Sequence, residues 1–179
     1  EGDPFTKLNL EKSIAEIKDR NIFKTVNYEI SDGTEKNLKV IDITVTEKPT
    51  GEISAGAGFG TNGGTFAAGI KENNWLGNGQ TVAFNIDVDE ESLSGVLRFT
   101  DPNYNFLGNS LSYAIASEDN DKPDQGYENS IVSGSIGTSF EQYKDLNASL
   151  GLSASYDDLS TTSGASDALK KQSGSFSEL

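Results

Sequence analysis

The sequence predicts a short α+β segment followed by an antiparallel, up-and-down transmembrane β-barrel, of which about seven strands are expected here. Three observations predict it. Glycine is partitioned: residues 1–50 contain only Gly2 and Gly33, whereas residues 51–179 contain 17 of the 19. Beyond Gly51 apolar side chains alternate with Ser, Gly, Ala and Asn, which is the period of a strand. The turns between these runs are of two kinds, one short and aromatic, the other polar or acidic, as at the two rims of a membrane barrel.

Elements follow in chain order. Thr6 is a candidate N-cap, and Leu10, Ile14 and Ile17 recur on one face of a helix that ends in Lys18 and Arg20. Ile22 and Phe23 then cap the core side. Thr25–Ile30 and Leu38–Glu47 read as strands around a Ser31-Asp32-Gly33-Thr34 turn, with Val40, Ile41, Ile43 and Val45 β-branched. One helix and one hairpin leave apolar surface uncovered, so further elements are expected upstream. The domains expected are residues 1–48, a linker at 49–51, and 52–179. Pro49-Thr50-Gly51 supplies the break, because Pro cannot donate to a ladder and Gly bends freely.

The second segment alternates throughout. Ile53, Ala55, Ala57 and Phe59 oppose Glu52, Ser54, Gly56, Gly58 and Gly60. After an Asn62-Gly63-Gly64 turn come Phe66, Ala68 and Ile70, then Val82, Phe84, Ile86 and Val88. Leu93, Leu97 and Phe99, then Leu111, Tyr113 and Ile115, continue the pattern. Val132, Gly134, Ile136 and Phe140 precede Leu146, Ala148, Leu150, Leu152 and Tyr156. The opposite face is mainly Ser, Gly, Ala and Asn with few charges. That suits a barrel lumen with the apolar face in lipid; a soluble sandwich would carry more Lys, Glu and Thr on its wet face.

The short turns are Asn74-Trp75-Leu76-Gly77-Asn78, Asn105-Phe106-Leu107-Gly108-Asn109 and Phe140-Glu141-Gln142-Tyr143, the first two a repeat 31 residues apart. Asp87–Glu91, Ser117–Glu128 and Asp157 onward form the acidic set. A barrel places its short turns at the periplasmic rim, so Trp75, Phe106, Phe140 and Tyr143 are expected at that membrane interface. In a soluble protein the same aromatics would plug strand ends.

Composition narrows the chemistry. The 179 residues include no Cys, His or Met. Disulfide scaffolds, thiolate sites and His-dependent catalytic triads are thereby excluded within the chain. The missing Met and the Glu1 start lead to the expectation of an excised piece of a longer protein. The net charge is −14, from 28 acids and 14 bases. Residues 1–50 contribute −2 (8 Lys/Arg, 10 Asp/Glu) and residues 51–179 contribute −12 (6 and 18). That acidity argues against nucleic acid as a partner. No run approaches the ~18 apolar residues of a membrane helix.

Isolated motifs add little. Gly58-Phe59-Gly60-Thr61-Asn62-Gly63 fits G-x-G-x-x-G, but a strand follows where a nucleotide fold needs a helix. Asp119, Asp121 and Asp124 hint at calcium, yet Pro123 and Asp124 break the EF-hand pattern. Asn147-Ala148-Ser149 is a glycosylation sequon inside an expected strand. Asp87, Asp89, Glu90 and Glu91 sit at a loop tip without burial to separate their pKa values. No active site, cofactor or metal is expected, and the protein is not read as an enzyme.

Ordered short motifs carry a family resemblance. Glu1-Gly2-Asp3-Pro4-Phe5 and Asn21-Ile22-Phe23-Lys24-Thr25-Val26 resemble a POTRA pattern, and Val40–Glu47 with Lys48-Pro49-Thr50-Gly51 resembles its closing strand and link. Gly56–Thr61, Glu72–Gly79 and Thr100-Asp101-Pro102-Asn103-Tyr104 resemble opening barrel strands and turns of the BamA family, the outer-membrane β-barrel assembly factors of Gram-negative bacteria. The similarity runs in order over about residues 1–155.

The resemblance implies that residues 1–48 are the C-terminal part of a periplasmic POTRA domain, and that residues 51–179 are the first strands of a sixteen-strand barrel, ending in an extracellular loop. It implies location in the outer membrane. The partners implied are unfolded outer-membrane protein clients, outer-membrane lipids and accessory lipoproteins. It implies a seam beside the first barrel strand, whose residues Glu52, Ile53, Ser54, Ala55, Gly56, Ala57, Gly58, Phe59 and Gly60 form the client-pairing edge. Gly56, Gly58 and Gly60 weaken a strand through backbone entropy, which fits a seam that opens. A secretion pore of the same superfamily, as in two-partner systems, is the alternative, and a soluble surface β protein the next. In isolation such a piece is expected to aggregate in water through Ile53, Phe84, Leu97 and Leu150.

Overall fold

In the computed structural model residues 4–35, 38–60, 63–143 and 146–179 are described. The chain divides into two units, residues 1–50 and 51–179.

In the first unit, helix α1 (Lys7–Asp19) packs on the hairpin of β1 (Phe23–Asp32) and β2 (Lys39–Glu47). The Thr6 hydroxyl accepts the Asn9 N–H at 3.2 Å, satisfying one of the helix's unpaired donors. Leu10 and Ile14 are buried with Val26, and Ile17 and Phe23 pack against them. The register Val26↔Val45, Tyr28↔Ile43 and Ile30↔Ile41 puts these six residues on one face of the hairpin. The helix covers Val26. Tyr28, Ile30, Ile41, Ile43 and Val45 stay exposed, so the apolar face extends well past the covering helix.

The second unit is one antiparallel sheet of eight strands in the order β10-β9-β8-β7-β6-β5-β4-β3. These are β3 (Gly51–Gly60), β4 (Gly63–Trp75), β5 (Gln80–Val88), β6 (Ser92–Asp101), β7 (Ser110–Lys122), β8 (Tyr127–Tyr143), β9 (Leu146–Thr161) and β10 (Gly174–Glu178). A short helix α2 (Asp167–Lys170) lies between the last two. Each strand pairs with its sequence neighbour, and β3 and β10 are the open edges among the described residues, so the sheet is not closed.

The sheet has one layer. Ala165 is its one buried hydrophobic residue among those described. Its apolar face carries the row Ile53, Ile70, Phe84, Leu97, Ile115, flanked by Val82, Phe99, Tyr113, Ile136 and Leu152. A row of the other face reads Ser54, Gly69, Asn85, Val96, Ala116, Ser133, Ser155. A soluble sheet buries its apolar face under a second layer; among the described residues of this unit there is a single sheet.

Several boundaries differ from the sequence reading. The seven expected strands are joined by an eighth, β10, whose Ser and Gly gave no apolar alternation. The expected loop Ser117–Glu128 is mostly ladder: β7 reaches Lys122, β8 resumes at Tyr127, and the turn shrinks to 123–126. Asp157 and Asp158 lie within β9, not in a loop. Phe140–Tyr143 is the end of β8, not a turn; residues 144–145, which follow, lie outside the described residues. Gly63 and Gly64, expected in a turn, begin β4, and Asn62 lies outside the described residues.

Ile14 is the most buried hydrophobic side chain of the first unit. Ile14→Ala is expected to destabilise this unit by about 2–4 kcal/mol. Denaturant unfolding followed by hydrogen exchange of β1 and β2 amides measures it; unchanged protection would contradict the packing described.

Candidate functional site

The edge strand β3 is where the sequence-predicted pairing residues fall. Glu52–Gly60 pair on one side with β4, from Glu52↔Lys71 to Gly60↔Gly63, and on the other side no described strand pairs with them. Ile53 and Phe59, on the apolar face, are 85% and 95% exposed. Gly56, Gly58 and Gly60 lie on the opposite face with Ser54. Next to that edge, Gly69 of β4 is required by its neighbours: a Cβ there would lie 2.6 Å from Asn85 Oδ1 and 2.9 Å from Ser54 Oγ. Side chains from β3 and β5 therefore close over the glycine between them.

The four aromatics expected at a membrane interface, Trp75, Phe106, Phe140 and Tyr143, gather at the end of the sheet where β4 meets β5, β6 meets β7 and β8 meets β9. Two are re-aimed by β-bulges. The β4–β5 register slips between Glu72 and Trp75, so that Trp75 pairs with Gln80. The extra residue moves Trp75 onto the face of Ile70 and Val82. The β8–β9 register slips between Glu141 and Tyr143, and Tyr143 pairs with Leu146, on the face of Phe140 and Ala148. By simple alternation both aromatics would sit on the polar face. Two independent bulges at one end of the sheet thus turn an aromatic ring to the apolar side.

Phe106 reaches the same end by another route. The two short turns share a scaffold: Glu72 Oε1 accepts the Asn74 N–H at 2.8 Å and Asn74 Oδ1 accepts the Gly79 N–H at 2.7 Å. In the other turn Asp101 Oδ1 accepts the Asn103 N–H at 3.0 Å and Asn103 Oδ1 accepts the Gly108 N–H at 2.7 Å. This framework repeats at 29 residues, whereas the sequence motif repeats at 31. The sequence repeat is therefore out of step with the backbone. Phe106, at φ 60°, occupies the left-handed position that Gly77 holds at φ 79° in the first turn. A bulky residue there is strained, and Phe106 is 89% exposed.

Polarity reverses at the other end of the sheet. The apolar face, formed there by Val88 and Leu93, continues across β7–β10 as Asp119, Ser130, Asp158 and Ser175. The polar face acquires Ile131 and Phe176 opposite Asp157. The apolar band on β8 and β9, from Val132 to Phe140 and from Leu146 to Tyr156, matches the roughly 9–11 residues of a tilted membrane strand.

Beyond that boundary the β5–β6 loop is held by Asp89, which accepts the Glu91 N–H at 2.8 Å and the Ser92 hydroxyl at 2.7 Å. The Ser92 hydroxyl first, and the Glu91 N–H second, hold its carboxyl below the ordinary carboxylate range. The four carboxylates considered as an acid–base group thus include one committed to loop structure. Asp119 and Asp121 are spread along β7, and no described group of three acids is arranged to hold a metal. Asn147, of the sequon, pairs with Glu141 inside β9.

Comparison with known proteins places this geometry. Residues 74–178 match the Omp85 superfamily domain. The chain belongs to the Omp85 superfamily of outer-membrane β-barrel proteins. It is 26% identical over 155 residues to the outer membrane protein assembly factor BamA of Neisseria meningitidis serogroup B, covering 85% of this chain and 18% of that protein. Its fold is similar to BamA from Haemophilus ducreyi lacking POTRA domains 1–3, with a TM-score of 0.73, 24% identity, and 85% of this chain covered against 30% of that one. The chain thus spans less than a third of the length of either relative.

Two outcomes follow. At the position of Phe106 a left-handed residue other than Gly costs about 1–2 kcal/mol, against about 0.5–1 kcal/mol for the added freedom of Gly in the unfolded chain. Phe106→Gly is therefore expected to be more stable than Phe106→Ala by about 0.5–1 kcal/mol, since both lose the ring and only one relieves the backbone. Urea unfolding of the two variants of the full-length protein checks this, and equal midpoints would refute it. For Asp89, folding lowers the pKa, so its contribution is fully present above the unfolded value of 3.8 and is lost as pH falls through the folded value. The stability difference between wild type and Asp89→Ala should be constant at neutral pH and shrink in that acid range. A difference that instead grows on acidification would reverse the assignment.

Proposed function

We propose that this chain is part of an outer-membrane assembly factor that templates the folding of client β-barrels on β3, and that it performs no enzymatic reaction. The observation that carries the reading is β3 itself. In a single-layer sheet whose inner strands are laddered on both sides, Glu52–Gly60 presents an edge with no described neighbour and three glycines on one face. Unpaired N–H and C=O groups template an incoming strand by β-augmentation. Glycine lowers the strand's own stability, so the edge exchanges partners readily.

The surroundings agree with that task. The apolar face meets lipid, and the Ser, Gly and Asn face lines a lumen. Trp75, Phe106, Phe140 and Tyr143 occupy the periplasmic interface, and the polarity reversal near Val88, Leu93, Val132 and Tyr156 marks the outer boundary of the hydrocarbon. Residues 1–48 act in the periplasm as the C-terminal part of a POTRA domain, joined through 49–51 to the first strands of a sixteen-strand barrel at 52–179. The exposed Tyr28, Ile30, Ile41, Ile43 and Val45 form the face that the rest of such a domain would cover. Unfolded outer-membrane proteins are the clients, with lipids and accessory lipoproteins as further partners.

Gly58→Pro tests the central claim in the full-length protein. Proline removes a ladder donor and fixes φ, which mid-strand is strongly disruptive. Client barrels in the outer membrane are expected to fall several-fold while the variant itself accumulates normally. Unchanged client levels at normal expression would remove the templating role. Impaired export of a soluble substrate with intact client barrels would point to a secretion pore.

A further inference from the structure

The three consecutive acids of the β5–β6 loop do three different things. Asp89 folds the loop on itself. Glu91 reaches forward: its carboxylate pairs with Lys122 Nζ at 2.7 Å, and its carbonyl accepts the Asp121 N–H at 2.8 Å, both at the outer end of β7. Glu90 reaches backward, and its Oε1 accepts the Gly64 N–H at 3.4 Å. The carboxylate lies over Gly63, where an added Cβ would be 2.2 Å from Glu90 Cδ. Gly63 is also left-handed, at φ 96°.

The place of this contact matters more than its strength. β4 pairs with β5 only from Phe66↔Val88 inward. Gly63–Thr65 and their β3 partners Gly58–Gly60 therefore project past the end of β5. Glu90 bridges that gap. The two arms of the loop are unequal: the Glu91–Lys122 pair is short and partly buried, whereas the Glu90 bond is long and exposed. A long, exposed hydrogen bond contributes little and opens easily.

We propose that Glu90 is a releasable latch that holds the outer end of the β3–β4 hairpin, while Asp89 and Glu91 keep the loop anchored when the latch opens. The proposal rests on β3 being the working edge. Release frees the outer half of that edge without disturbing β6 and β7, so that an incoming strand meets outer ends of β3 and β4 that are no longer held. Gly63 serves the latch twice, by leaving room for the carboxylate and by adopting the left-handed backbone at the start of β4.

Hydrogen exchange by mass spectrometry on the full-length protein in lipid nanodiscs tests this. In Glu90→Ala, exchange in a peptide spanning 57–66 is expected to quicken about threefold or more, with peptides in β6 and β7 unchanged. Glu90→Gln retains an acceptor and is expected to fall between. Glu91→Ala is expected to act on the β7 end instead. Unchanged exchange across 57–66 in Glu90→Ala, or quickening spread over the whole sheet, would overturn the latch. Client assembly measured on the same variant separates the two readings. A local quickening that alters client levels supports both. The same quickening with unaltered levels keeps the latch and removes the client-pairing role of β3.

Discussion

Every backbone N–H and C=O in a bilayer must find a partner within the protein, because hydrocarbon offers none and each unpaired group costs several kcal/mol. The second unit is organised by that constraint rather than by a hydrophobic core. It is a single sheet, and Ala165 is its one buried hydrophobic residue among those described. What holds it is the ladder. A meander in which every strand pairs with its sequence neighbour satisfies the ladder with short connections and local contacts. The constraint also bears on the proposed pairing edge, since an edge is where such a sheet leaves pairing groups without a partner.

Once the ladder fixes the backbone, alternation decides which side of the sheet meets lipid, and bulges are the means of correcting it locally. Trp75 and Tyr143 stand at odd positions in strands whose apolar residues are even, such as Ile70 and Ile136. One inserted residue in each strand reverses the parity just at the sheet end. The strain at Phe106 follows from similar competition. A scaffold built by Asp101 and Asn103 sets the turn, and the aromatic falls where the sister turn has Gly77. An exposed aromatic side chain and backbone preference are at odds there.

What could be read from the chain followed the same physics. Thr6, Leu10, Ile14 and Ile17 announced the helix, because capping and a 3.6-residue period are local properties. The inner parts of β3–β9 were legible because one face is apolar and the other is not. Outside the apolar band that contrast disappears: Glu118–Lys122, Tyr127–Ile131 and Asp157–Thr161 have mixed or polar faces, and they look like loops although they are laddered. β10 offers only Phe176 among Gly, Ser and Glu. Bulges left no trace, since a single inserted residue changes parity and not composition. The alternation over Glu52–Gly60 marks a strand, whereas its open side depends on the order of strands in space.

The acidic loop shows where composition misleads most. A run of Asp, Glu and Glu at a hairpin tip reads as a solvated patch, and charge bookkeeping assigns it to the outward loops that carry the chain's negative charge. In the structure each carboxylate is directed to a different neighbour, and the direction matters because the strands end unevenly. β5 stops at Val88 while the β3–β4 hairpin continues past it. At that step the ladder cannot extend, and side chains take over its work. Gly64 N–H, left without a β5 partner, donates instead to a carboxylate of the loop above. The proposed exchange at this edge needs inner strands that stay laddered and outer strand ends that do not, and the unequal ending of β4 and β5 separates the two.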